Sequence, residues 1–171
     1  APYGGLVTDR GRFMYEHTGP RAQLMAADLI EAGVQTDVVY RRIYEGMPYA
    51  KLDLLGRALG QVVRYDDGRL TMTFLRREDF DAAGAQDSLS EGVIDHLRSV
   101  EGTKVAAVVR HIDDERKKIS LRSVAGEVDV SIIARAAGGG GHRRAAGVTT
   151  TMSEDEIVAF VRERIAAQLD D

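Results

Sequence analysis

The 171-residue chain is long enough for one domain or two small ones, and at 44% hydrophobic it can bury a core. Its 23 basic and 27 acidic residues leave a net charge of −4, which excludes a surface that attracts polyanions as a whole, so any phosphate site must be local. The absence of cysteine excludes disulfides and thiolate metal sites and fits a reducing cytoplasm, and no apolar run is long enough to span a membrane.

In chain order, "GGLVT" (4–8) reads as the end of a short buried strand, followed by a turn at "DRG" (9–11). The opening residues lack the basic and apolar regions of a signal peptide. A helix is expected from Thr18, its cap, with Pro20 in the first turn, Ala22, Met25, Ala26, Leu29 and Ile30 on one face, and Gly33 as the stop. A second helix runs from a Thr36 cap to Gly46, and a third from Pro48 to Gly60. Three such helices expose too much apolar surface to stand as a domain, so they are expected to be the tail of something larger.

Beyond Gly60 the pattern turns to strands. "QVVRYDDGRLTMTFL" (61–75) is a hairpin with Asp67-Gly68 as its turn signal. "RREDFDAAG" (76–84) is a short helix and "SLSEGVIDHLRSV" (88–100) a longer one. "KVAAVVRHI" (104–112) and "KKISLRSV" (117–124) are strands. In the second, Ile119, Leu121 and Ser123 share one face, and Ser120 and Arg122 the other. "DVSIIARAA" (129–137) is a helix, "GVTTTM" (147–152) a strand, and the final helix opens on a Ser153–Glu156 capping box. The expectation is an α+β domain over 61–171 with a mixed sheet of about five strands flanked by helices.

Residues 136–147, "AAGGGGHRRAAG", stand out. Glycines let backbone N–H groups converge on a ligand, and His142, Arg143 and Arg144 add side-chain donors. Read as opening a short helix over "HRRAAG", the glycines would also present a positive dipole end, so phosphate or carboxylate is the natural ligand. The spacing matches neither the Walker loop nor the dinucleotide fingerprint. Asp9, at the expected strand end, is a candidate metal ligand or simply a turn-initiating residue. His96, His111 and the carboxylates of Asp79 and Asp81 read as solvated groups, and Tyr40, Tyr44 and Tyr49 as helix packing.

"GGGGHRRAAG" resembles the Gly-Gly-Gly-His-x-x-Ala-Ala-Gly signature of the DHH-associated domain of DHH phosphoesterases. "SLRS" (120–123), "VDVSIIAR" (128–135) and "SEGVIDHLRSVEG" (90–102) support the match. "GLVTDRGRF" and the two segments after it resemble the end of the catalytic domain in the bifunctional oligoribonuclease and pAp-phosphatase group. The resemblance implies three parts: residues 1–46 as a catalytic-domain remnant of α/β type, 47–60 as a linker helix and 61–171 as the substrate-binding domain. It implies a cytoplasmic enzyme using Mn²⁺ or Mg²⁺ on short RNA and nucleotide phosphates such as pAp, with cyclic dinucleotides as an alternative substrate class, no membrane and a possible homodimer. It assigns Asp9 as a metal ligand of the complete catalytic domain. Arg122, Ser123, Gly139, Gly140, Gly141 and His142 become substrate contacts, and Arg143 is added to them at a variable position.

The chain contains no Asp-His-His; the nearest string is Asp95-His96-Leu97. The resemblance therefore implies a C-terminal portion, without catalytic residues of its own and silent alone. Two other readings stay open at this level: a non-catalytic nucleotide- or RNA-binding module, and a dimerisation fragment using the front helices.

Overall fold

The computed structural model describes residues 2–9, 13, 18–124 and 126–169. Two compact units divide between Pro48 and Tyr49.

The first unit carries helices α1 (Pro2–Asp9), α2 (Pro20–Glu31) and α3 (Thr36–Tyr44). "GGLVT" is thus helical rather than a strand, and Asp9 ends a helix; Arg10 and Gly11 of the expected turn lie outside the described residues. Gly19, not Thr18, is the N-cap of α2, with Pro20 in the first turn as expected. Gln35 precedes α3 as its cap, so Thr36 lies inside the helix. Only Ala22 and Ala26 of the expected α2 stripe are buried, while Met25 and Ile30 remain exposed.

The second unit is built on one mixed sheet: β1 (Val63–Tyr65), β2 (Leu70–Leu75), β3 (Val105–His111), β4 (Lys117–Ser123), β5 (Gly140–His142) and β6 (Ala145–Thr150). The spatial order is β1-β2-β3-β4-β6-β5. Only β2 and β3 run parallel, and their crossover contains α5 (Arg77–Ala83), a 3₁₀ turn (Asp87–Ser90) and α6 (Val93–Arg98). The expected helix over 88–100 is broken because Gly92 adopts φ +94°, a left-handed conformation that interrupts the helical run.

Each face of the sheet has its own core. On one, Val105, Ala107, Val109, Ile119, Leu121, Ala146 and Val148 pack with α7 (Val130–Ala136) and α8 (Glu154–Leu169). On the other, Ala106 and Val108 pack with Leu54 and Ala58 of α4 (Tyr49–Gly60) and with Phe80, Ile94 and Leu97. The segment 47–60, expected as a linker helix, therefore has residues in this core. Strand β3 reads "VAAVVRH" and is covered on both faces, whereas β4 alternates buried and accessible residues. That alternation leaves one face of β4 partly open.

Two caps fix the helices behind the sheet. The Ser153 amide donates to Glu156 at 2.7 Å and the Glu156 amide to Ser153 Oγ at 3.3 Å, the expected capping box. At α7, Asp129 accepts from the Ser131 hydroxyl at 2.5 Å and the Ser131 amide at 2.9 Å. These bonds, the hydroxyl first, hold the Asp129 carboxyl below its ordinary range. A carboxyl lowered in the folded state contributes stability above its unfolded pKa, and loses it as pH falls through the folded value. Asp129→Ala is expected to cost about 1 kcal/mol near neutral pH, and its melting curve to approach that of the wild type in acid. Thermal melts across pH check this; a cost that does not shrink in acid contradicts it.

Candidate functional site

The glycine segment forms a hairpin, not a helix. β5 and β6 pair antiparallel with Gly140 opposite Gly147, Gly141 opposite Ala146 and His142 opposite Ala145, leaving Arg143 and Arg144 as the turn. The expected helix N-terminus at "HRRAAG" is therefore absent, and with it the dipole argument. The small residues after the histidine form β6, which pairs along β4.

Two of the glycines are required by packing. A Cβ on Gly139 would lie 2.4 Å from the Gly147 carbonyl oxygen and 2.5 Å from Val148 Cβ. One on Gly141, at φ +140°, would lie 2.5 Å from Ala146 Cα. Gly140 is different: nothing lies within 4 Å of a Cβ there, and its φ is unremarkable. It is the glycine of this strand that leaves space for a ligand.

Register places the remaining candidates. Directly opposed residues on neighbouring strands share a face. Arg122 opposes Ala145, which opposes His142; Ser120 opposes Gly147, which opposes Gly140. Arg122, Ser120, His142 and Gly140 therefore stand on one face, with small residues between them. The Cα atoms of Arg122 and His142 are about 10 Å apart, two strand spacings. Lys118 continues the row on β4, opposing Arg110 of β3 and Thr149 of β6.

A polar cavity of about 470 Å³ opens at the β3–β4 end of this face, with Arg110, Lys118, Ser120 and Arg122 along the sheet and Ser88, Glu91 and Asp95 among the residues of the facing wall. Asp87 ion-pairs with both Arg77 and Arg110, and these arginines hold its carboxyl below the ordinary range. Arg122 donates to its neighbour's carbonyl, Leu121 O, at 3.0 Å and has no carboxylate partner among the described residues.

Not every candidate joins this face. Ser123 sits on the opposite face with Ile119 and Leu121, and its hydroxyl is buried without a hydrogen-bond partner among the described residues. Its amide donates to Arg144 O at 3.1 Å, tying β4 to the hairpin turn. The Arg143 guanidinium donates twice to Gly126 O, at 3.1 and 2.9 Å, and so clamps the turn to the loop before α7. Asp9 lies in the first unit. Among the described residues, no three His, Asp or Glu side chains gather in a way that could hold a metal ion. The described residues by themselves do not assemble the metal centre implied by the resemblance.

Sequence reading missed Lys118 and Arg110. Both could have been found: Lys118 follows from the β4 alternation that exposed Ser120 and Arg122. His111 was read as solvated, but its Nε2 is 2.9 Å from Glu154 Oε1, and the same carboxylate accepts two bonds from Arg76 at 2.9 and 2.6 Å. This network joins the end of β3 to the start of α8.

The second unit thus presents a mixed sheet with an open, basic face that carries glycines at its edge. Residues 69–167 match the DHHA1 domain family, and the chain belongs to that family, the C-terminal region of DHH-superfamily proteins. It is 34% identical over 122 residues to the bifunctional oligoribonuclease and PAP phosphatase NrnA of Thermus thermophilus, which covers 71% of this chain and 36% of that protein. The fold matches an exopolyphosphatase-related protein from Bacteroides fragilis at a TM-score of 0.83 and 26% identity, over 95% of this chain and 47% of that one. A pGpG-specific phosphodiesterase from Vibrio cholerae shares the fold at a TM-score of 0.53 and 12% identity, over 97% of this chain and 55% of that one. The chain thus spans from about a third to just over half the length of these relatives.

Proposed function

We propose that this chain supplies the substrate-holding part of a DHH-superfamily phosphoesterase that degrades short oligoribonucleotides and dephosphorylates pAp. The observation that carries this reading is the alignment of Arg122, Ser120, Gly140 and His142 on one open face. The guanidinium of Arg122 binds a phosphate through charge-assisted hydrogen bonds. Gly140 and Gly147 let the nucleotide approach the backbone, and His142 donates a ring N–H from the far side. Ser123 and Arg143 position the hairpin from behind and do not contact the phosphate.

Binding through these groups orients the phosphate and removes part of its water shell, which prepares it for attack. By this reading the attacking group and most ligands of any divalent metal come from residues other than those described. By this reading the complete enzyme uses Mn²⁺ or Mg²⁺ and works in the cytoplasm, and Asp9 contributes to its metal site only there. Among the described residues no helix is long and apolar enough to cross a membrane. The similarity to NrnA favours RNA ends and pAp over cyclic dinucleotides as substrates.

Calorimetric titration of the chain with AMP tests the reading. Binding is expected to weaken steadily as salt is raised from low to about 0.5 M, because it depends on a few partly exposed charges. Absence of binding at low salt, or an affinity that salt does not change, contradicts it.

A further inference from the structure

We infer that Lys118, with the Ser120 hydroxyl beside it, forms a second phosphate subsite, so that this site selects nucleotides carrying two separate phosphate groups over those carrying one. The inference rests on the reading that Arg122 holds a phosphate.

Lys118 and Arg122 both line the 470 Å³ cavity on the same face of β4, with Ser120 between them. Their Cα atoms are about 13 Å apart at the strand rise, so two long side chains can serve two anionic groups separated by a ribose. The charges in the cavity divide into engaged and free. Arg110 shares the Asp87 carboxylate with Arg77, and Asp95 pairs with Arg98 at 3.3 Å, so these groups are engaged. No carboxylate pairs with Lys118 or Arg122 among the described residues, which leaves two free cations on the sheet side. Glu91, a carboxylate of the facing wall without an ion pair among the described residues, repels phosphate and confines it to β4.

The two cations differ in kind. Arg122 offers a planar fork that fixes orientation, whereas the Lys118 ammonium is a point charge on a flexible stem that accepts a phosphate in several positions. Lys118 therefore suits the more variable of the two phosphates, and it determines specificity rather than touching the reacting atoms.

The test is titration of the wild type, Lys118→Gln and Arg122→Ala with adenosine 3′,5′-bisphosphate and with AMP. Lys118 is solvent-exposed, so its substitution is expected to leave the fold intact, as circular dichroism will show. The wild type is expected to prefer the bisphosphate about tenfold or more, the size of one hydrogen bond to a charged group. In Lys118→Gln that preference collapses while AMP affinity stays within about twofold of the wild type. A preference retained in Lys118→Gln, or an equal loss of both ligands, overturns the subsite. If Arg122→Ala loses both ligands in the same experiment, the Arg122 reading stands even though the subsite fails. If the wild type binds neither ligand, both readings fall.

Discussion

Replacing Arg122 with alanine is expected to weaken AMP binding by about 10- to 100-fold without unfolding the chain, from a loss of about 1.5–3 kcal/mol for hydrogen bonds to a charged group. Arg122 lies on the open face of β4, and among the described residues its guanidinium donates only to the adjacent Leu121 carbonyl. No carboxylate is left unpaired when the guanidinium is removed, so the fold loses little. Calorimetry of the variant, with a thermal melt alongside, separates the two effects. Wild-type affinity in Arg122→Ala contradicts the site; a melting temperature lowered by ten degrees or more contradicts the claim that the residue serves the ligand rather than the fold.

The glycines are expected to divide sharply. Gly139→Ala drives a methyl group against the Gly147 carbonyl and the Val148 backbone, on a strand already pinned by its ladder to β4. Neither neighbour is a flexible side-chain end that could swing away. Overpacking of this kind costs about 1–3 kcal/mol, which lowers the melting temperature of a unit this size by roughly 3–5 °C per kcal/mol. Gly140→Ala meets nothing within 4 Å, so stability is expected to change by less than about 0.5 kcal/mol. Its methyl group faces the ligand side, however, and AMP affinity is expected to fall. Melting curves and titrations of the two variants check this; equal destabilisation by both contradicts the division.

Much of this was legible in the sequence, and the failures have physical causes. The β4 alternation and the Ser153–Glu156 capping box are local patterns, and both appear as read. The run "AAGGGGHRRAAG" was read as opening a short helix rather than as a hairpin, because glycine and alanine carry little strand signal of their own. Long-range pairing of β6 with β4 decides that segment, and the sixth strand follows from it. "GGLVT" was read as a strand from its apolar residues, yet so short a run does not distinguish strand from helix. Ser123 was grouped with the ligand by the family motif and Arg143 was added at a variable position; register places Ser123 on the opposite face from Arg122, and Arg143 bonds to Gly126 O. Lys118 lies two residues before the "SLRS" motif and is no part of it.

The claim that the open β4–β6–β5 face binds a nucleotide phosphate is tested most directly by following backbone amide resonances of the ¹⁵N-labelled chain during titration with AMP. The predicted result is a saturating footprint on Ser120, Arg122, Gly140, His142 and Gly147, with the amides of α7 and α8 unmoved. No saturable shifts on that face, or a footprint centred on the helices behind the sheet, would contradict it.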